Sequence, residues 1–407
     1  SDNAVSGVTR GVESTTATSH SSGATVELYN IHKVPLQEIN KTHTSISNIT
    51  IDGYTVSIST SPDVGSSGDT SQIGGTVATA IENAMMDQMN TIVGALPNYL
   101  KNHSYGEYIF DHNWATAFQN AGGSYYPKLI SAIPFTPVNG PRFLYQPKLK
   151  KQIVELISDT LKKLTIKNNL SSAHINFLSS EDKKILKSEN WLERLGLQFH
   201  WENKNYETFD DFLQKLKSQK KKMIKKERNF LKQSDISIIR LTGNDLNKKI
   251  WDKFYDFYLN TVNRKWGGAY LNRDFFELIS QNMSSKILLI IAKKDDDIVA
   301  GALNYIGKNK LFGRNWGSII QFPFLHFELC YYQAIDFAIE TGLQFVEAGA
   351  QGPHKIKRGY LANPTYSYHF IPNESFKNAI SKFIKFETKE IINQIKYVND
   401  QGSPYSS

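Results

Sequence analysis

Past a short apolar run, Phe345-Val-Glu347, the chain carries its densest group of chemically capable side chains, Gln351-Gly-Pro-His354-Lys355-Ile-Lys-Arg358-Gly-Tyr360. The apolar run reads as a strand, and the end of a strand is where a sheet presents its site. Glu347 would place a carboxylate at a pocket mouth, where partial burial raises its pKa toward one useful for accepting a proton. An ion pair with Arg358 or Lys355 is its competing structural role. Upstream, His326 and Glu328 open a predicted helix, whose dipole favours an ionised carboxylate and a neutral imidazole there. They suit hydrogen bonding or capping better than acid catalysis. Tyr331 and Tyr332 follow one turn on; at most one can face the same cleft as Glu328, and Tyr332, four residues away, is better placed.

Two further groups stand out. His103, Tyr105 and Glu107 alternate along a predicted strand and share one face, which either lines a pocket or is the solvated side of a sheet. A predicted helix over 208–233 carries Lys215, Lys217, Lys220, Lys221, Lys222, Lys225, Lys226, Arg228 and Lys232, and between Lys215 and Lys232 Glu227 is the only acid. That density repels itself unless an anion lies near, which makes Lys221, Lys222 and Lys225 candidate anion ligands, although a solvated face is the usual meaning of a charge run. The sequence has no Gly-x-Ser-x-Gly elbow and no His-Glu-x-x-His or Cys-x-x-Cys metal signature. Nothing in it suggests sequence-specific DNA binding. The single cysteine, Cys330, lies in the apolar run Phe327-Glu-Leu-Cys-Tyr-Tyr and reads as core; one cysteine excludes an intrachain disulfide and fits a reducing compartment.

The elements that must position these residues come from a chain of 407 residues, 40% hydrophobic, enough for two or three domains with cores of their own. No run of about 18 apolar residues could span a bilayer, and the beginning lacks a secretory layout, so a cytoplasmic protein is expected. Residues 1–90 hold three Lys/Arg against nine Asp/Glu, a net of −6, which leaves 44 against 30, or +14, for the remainder. Such a basic body would attract an anionic partner; a lysine- and asparagine-rich codon usage explains it as simply. Residues 1–90 are Ser/Thr/Gly-rich with short alternating runs at 24–29 and 49–58 and a helical period over 77–92. This segment resembles stretches of marine tailed-phage structural proteins and reads as foreign to the rest.

After Thr91 long aromatic-rich elements follow. The reading is a strand pair over 94–109, helix 114–121, strand 130–135, helix 148–168, strand 173–178, a helix from 181 and strand 197–202. Then come helix 208–233, strand 236–241, helices 247–264 and 272–283, and strands 286–293, 298–306 and 310–316. Helix 325–341, strand 345–348 and a helix over 374–396 close the series. Alternation of this kind argues for an α/β (α+β) fold. The order helix, helix, three-stranded meander, helix, strand is that of the acyl-CoA N-acyltransferase (GNAT) fold. It appears complete at 206–396 and only in its later part at 91–205, as a truncated first copy, with 397–407 a disordered tail.

Several phrases carry a closer resemblance. Among them are Tyr99-Leu-Lys-Asn-His-Ser-Tyr-Gly-Glu-Tyr-Ile-Phe-Asp111, Pro134-Phe-Thr-Pro-Val-Asn-Gly-Pro-Arg142, Arg264-Lys265-Trp-Gly267, Gly313-Arg-Asn-Trp-Gly317, His326-Phe-Glu-Leu-Cys-Tyr-Tyr-Gln-Ala-Ile335 and Glu347-Ala-Gly-Ala-Gln-Gly-Pro-His-Lys355. In order across 91–396 they resemble the FemAB-like family of tandem GNAT-fold N-acyltransferases associated with peptidoglycan. The resemblance implies transfer of an acyl or aminoacyl group to an amine, with aminoacyl-tRNA or acyl-CoA as co-substrate and a lipid-linked precursor among the acceptors. The phrase at Lys355 is similar to a phenylalanine-lysine-x-x-phenylalanine-glycine phrase of Fem transferases, with His354 and Arg358 in the places of the two phenylalanines. By that match Lys355 stabilises a carbonyl or phosphate and Arg358 is a second cation. Glu347 and Tyr332 complete the expected catalytic set. Substrate-binding candidates in the matched phrases are Arg358, His354, Gln351, Arg314, Trp316, His326, Glu328, His103, Tyr105, Glu107, Arg264 and Lys265. A coenzyme A enzyme of this fold cradles pyrophosphate on backbone amides after its fourth strand; Arg314-Asn-Trp-Gly317-Ser-Ile319 keeps half of that signature, and Ile319 is bulky. The competing functions are an inactive binding or structural protein, with the phage-like segment fused to a truncated transferase, and a coenzyme A-dependent N-acetyltransferase.

Overall fold

The structure, a computed structural model, describes residues 26–34, 47–51, 54–59, 94–186, 190–266, 269–349 and 352–406. The helix expected over 77–92 lies outside them. Two compact units divide the chain: the first includes His20–Gly196 and Thr365–Lys389, the second Leu197–Pro364 and Glu390–Ser407. The expected division at 205/206 thus gives way to crossings inside two strands and a third inside the last helix.

The first unit contains β1 (Val26–Val34), β2 (Ser47–Ile51), β3 (Tyr54–Ser59), β4 (Gly94–Lys101), α1 (His112–Asn120), β5 (Lys128–Ser131), β6 (Leu144–Tyr145), α2 (Lys150–Lys167), β7 (Ala173–Asn176), α3 (Ser180–Leu186) and the start of β8 (Leu192–Glu202). Antiparallel β4 and β5 lead through α2 to β7, which lies parallel to β5 from Leu129 opposite Ala173 to Ser131 opposite Ile175. The apolar residues of α2 explain its place: Ile153, Ile157, Leu161 and Leu164 recur every three or four positions and pack on Leu96, Leu129 and Ile175. β1 pairs antiparallel with β4, His32 opposite Ala95.

The second unit continues with α4 (Phe209–Gln214), α5 (Ser218–Lys232), β9 (Ile236–Leu241), α6 (Lys248–Trp266), α7 (Arg273–Met283), β10 (Ile287–Lys294), β11 (Asp297–Ile306) and β12 (Lys310–Ser318). A helix follows whose turns are Leu325–Phe327, a π turn at Glu328–Tyr332, and Gln333–Glu340, together α8. It leads to β13 (Phe345–Glu347), a 3-10 turn (Pro353–Arg358), β14 (Leu361–Phe370) and α9 (Glu374–Asn399). The first six residues of β10 are all buried, because the sheet is covered on both faces. Ile287, Leu289 and Ile291 face the core built by α6 and α7; Leu288, Ile290 and Ala292 face the one built by α8 and α5. β9 to β12 form an antiparallel meander and β13 joins β12 in parallel. This is the complete acetyltransferase-like order, and the first unit repeats its later part. The fold is therefore α/β, a tandem of GNAT-like units with the first abbreviated.

Several elements differ from expectation. β4 ends at Lys101, and His103 to Glu107 run through turns with Gly106 at φ +75° and Tyr108 at +56°. The expected helix 208–233 is two, because Leu216 turns into the core and bridges Tyr405 between them; Thr208 and Asp211 close a capping box on the first. β14 has no strand signature in the sequence because Pro364 interrupts its pattern. The tail is ordered to residue 406: the Tyr405 hydroxyl donates to the Gly359 carbonyl at 2.7 Å and the Lys217 amide to that of Pro404 at 2.8 Å.

Candidate functional site

The parallel pairing of β12 with β13 lasts three residues, from Lys310 opposite Phe345 to Phe312 opposite Glu347. Beyond Glu347 the chain turns away through Gly349, at φ +75°, and returns as the Pro353–Arg358 turn. The carboxyl end of a parallel pair is the usual seat of a ligand in such sheets.

Lys355 lies in this turn with only 1% of its surface exposed. Its ammonium donates to the Gly349 carbonyl at 2.9 Å, and among the described residues no carboxylate pairs with it. Burial pulls its pKa down to about 8, with nearby Cys330 opposing the shift. Arg358, 3% exposed, is held differently. Its Nη2 donates to both oxygens of Glu227 at 2.8 and 2.9 Å, its Nη1 donates to the His354 carbonyl at 3.0 Å, and its guanidinium lies 3.4 Å from the centre of the Phe327 ring. The Tyr332 hydroxyl also donates to Glu227. The expected partner of Arg358, Glu347, is elsewhere, and the ion pair that exists braces the Lys355 turn against α5. Tyr332 therefore positions Glu227 and Arg358.

Glu347 is buried at the end of β13. It accepts from Lys310 at 2.7 Å and stands 3.8 Å from His200 Nδ1, and its Oε2 has no hydrogen-bond partner among the described residues. Burial lowers the His200 pKa to about 4, against the pull of Glu347 and with Lys310 and Lys355 adding to the fall, so the ring is neutral near pH 7. The ion pair expected for Glu347, with Arg358 or Lys355, gives way to one with Lys310.

The π turn sets the other wall. Closing one residue later than an α-helix, it buries both Tyr331 and Tyr332. The Tyr331 hydroxyl hydrogen-bonds His354 Nε2 at 2.8 Å. His326 packs edge-on to Trp316, centroids 5.2 Å apart, and 6.0 Å from His354. Trp316, His326, Tyr331, His354, Lys355 and Arg358 therefore come together. Glu328 turns away, to Arg228 at 3.0 Å and Gln333 at 2.8 Å.

Arg314, Trp316 and Gly317 belong to β12 itself. A Cβ on Gly317 would lie 2.1 Å from the Phe257 carbonyl oxygen, so this glycine admits α6. The amide of Ile319 donates to the Val299 carbonyl and that of Ile320 to Ser318 Oγ. In the stretch expected to offer amides to a pyrophosphate, that of Ile319 is spent on the β11 strand, and the next amide, that of Ile320, on a serine hydroxyl.

Other candidates fall outside the cluster. Arg264 is exposed near the end of α6, its Nε bonded to the Asn260 carbonyl; Gln351 and the side chain of Lys265 lie outside the described residues. On α5, Lys222 is exposed, Lys221 reaches Gln214 and Lys225 reaches Asp210 at 3.0 Å. In the first unit Tyr105 is exposed, whereas Glu107 is buried with Lys128 at 2.7 Å and Lys101 at 3.2 Å. The shared strand face expected for His103, Tyr105 and Glu107 does not exist, because the strand has ended. Lys128 also binds Asp111 and Ser104, and Asp111 accepts from Tyr125. Beside them His174 and His369 meet Nδ1 to Nδ1 at 2.6 Å. Sequence reasoning passes over this network and over Glu227, Lys310 and His200, and ranks Tyr331 behind Tyr332. Glu227 had a signal, as the one acid in a basic helix.

A profile of the peptidoglycan biosynthesis/recognition family, FemAB-like, matches residues 70–407, beginning ahead of the boundary expected at Thr91. The chain belongs to the FemAB-like family. Comparison with curated proteins gave no match. Solved structures similar to this FemAB-like chain include L-PGS from Bacillus licheniformis, 9% identical over 63% of this chain and 82% of that one at a TM-score of 0.45. FemX is 12% identical over 72% and 88%, TM-score 0.45. A tandem GNAT protein from the clavulanic acid biosynthesis pathway is 8% identical over 69% and 79%, TM-score 0.38. No helix among the described residues is long and apolar enough to cross a membrane.

Proposed function

We propose that this FemAB-like protein transfers an acyl group, as an aminoacyl ester, to an amine on a peptidoglycan precursor, with Lys355 as the cation that meets the carbonyl or phosphate. The observation that carries the reading is a lysine buried without a carboxylate partner among the described residues, in a turn just past the end of a parallel strand. At a pKa of about 8 it is mostly protonated at pH 7, and little water competes with it for a developing oxyanion. The attacking amine forms the new C–N bond, the ester C–O bond to the donor breaks, and the amine proton passes to the released oxygen by way of a base. The Glu347 oxygen that has no partner among the described residues supports that base role, with neutral His200 beside it. Tyr332, Glu227 and Arg358 act through the turn they hold, while Trp316, His326 and His354 offer flat polar walls to substrate.

The spent amides of Ile319 and Ile320 favour an aminoacyl-tRNA donor over a coenzyme A thioester, and such a donor would place the reaction in the cytoplasm. Mass spectrometry of peptidoglycan-precursor amines incubated with aminoacyl-tRNA or with acyl-CoA pools tests this. Product with aminoacyl-tRNA is expected; product with acyl-CoA alone would reverse the donor assignment, and none with either would defeat the transfer reading.

A further inference from the structure

On α5, Lys222, Lys226 and Phe230 stand four residues apart and so form one row along the helix. All three are exposed, Phe230 by 43%. The row ends on the loop that follows β12, where the Phe230 ring lies 6.0 Å from that of Phe322 and 5.5 Å from that of Phe324. In the same loop Ile319 is 54% exposed. The loop runs directly into Leu325 and His326, so the apolar cluster borders the candidate site. Of the six lysines on α5, only Lys225 reaches a carboxylate among the described residues.

We propose that this row and loop are a peripheral docking surface for an anionic lipid bilayer, with Phe230, Phe322 and Ile319 entering the interface and Lys222 and Lys226 resting on the headgroups. Lysines beside exposed aromatic and aliphatic side chains are the composition of an interfacial anchor. Phosphate binding alone would leave the aliphatic Ile319 without a role, and Phe230, packed against two other rings, offers no open pair of faces for a base to stack on. Docking here would bring a lipid-anchored acceptor to the site mouth. That use rests on the transfer reading, but the docking itself does not.

The test is flotation of the full chain with vesicles of phosphatidylcholine containing phosphatidylglycerol, against phosphatidylcholine alone, with bulk tRNA as a competitor. Flotation with the anionic vesicles only is expected. Phe230→Ser and Ile319→Ser should each weaken it several-fold while transfer to a soluble amine is unchanged. Lys222→Ala with Lys226→Ala should weaken it on the order of twentyfold. No flotation at low salt overturns the proposal, as does flotation indifferent to both apolar substitutions. So does a lysine-pair variant that loses tRNA binding yet floats as before, which would mark an RNA face. A chain that transfers but does not float defeats the docking surface alone; one that floats but transfers nothing defeats the transfer reading alone.

Discussion

Replacing Lys355 by methionine should make the protein more stable at neutral pH while removing its activity. The folded pKa of about 8 lies below the ordinary lysine value of 10.5, so folding disfavours the charged form. Between those values the unfolded chain binds more protons than the folded one, and stability rises with pH across that window. At pH 7 the ammonium costs the fold about 3 kcal/mol relative to a neutral side chain. Methionine has similar reach and no charge, but it leaves the Gly349 carbonyl unpaired, which costs about 1 kcal/mol. The net expectation is a gain of about 2 kcal/mol at pH 7, shrinking and then reversing as pH rises from 8 toward 10.5. Denaturant midpoints of both proteins at pH 7 and pH 9.5, read on the same transition, measure it. A variant destabilised at pH 7, or a difference that does not change with pH, would show that Lys355 carries no desolvation cost and remove the physical basis for its role.

Glu227→Ala leaves the Arg358 guanidinium buried and unpaired; a loss of about 3–5 kcal/mol in urea denaturation is expected, and Glu227→Gln should restore part of it. In the first unit His174 and His369 are both kept neutral, chiefly by burial, His174 with its pKa lowered to about 3 and His369 well below the ordinary value. The unfolded histidines protonate below about pH 6.5, so each should withdraw about 2 kcal/mol of stability between pH 6.5 and pH 5, seen as a falling thermal midpoint. Gly317→Ala drives a methyl into the Phe257 carbonyl; a loss of at least about 3 kcal/mol, or failure to fold, is expected by circular dichroism.

Much of this architecture was legible in the amino-acid order. The meander 286–316 and its covering helices follow from hydrophobic period and turn residues, and the phrase around Lys355 announced a site by standing after a short apolar strand. What escaped was set by contacts distant in sequence. Arg358 is paired by Glu227, 131 residues away, and Glu347 by Lys310 from the neighbouring strand. The π turn shifts both tyrosines off the α-helical period on which their facing was judged. Strand β14 hides behind Pro364, and the alternation of His103, Tyr105 and Glu107 reads as a strand although Gly106 turns the chain there.

The central claim is that Lys355 meets the reacting group. Steady-state transfer from aminoacyl-tRNA to a precursor amine, with wild type, Lys355→Met and Lys355→Arg compared, tests it most directly. The account predicts a fall in kcat of about 100- to 1000-fold for Lys355→Met, with partial recovery in Lys355→Arg. Wild-type kcat should decline as pH rises through about 8, whereas that of the arginine variant should not. Equal kcat in wild type and Lys355→Met would contradict it.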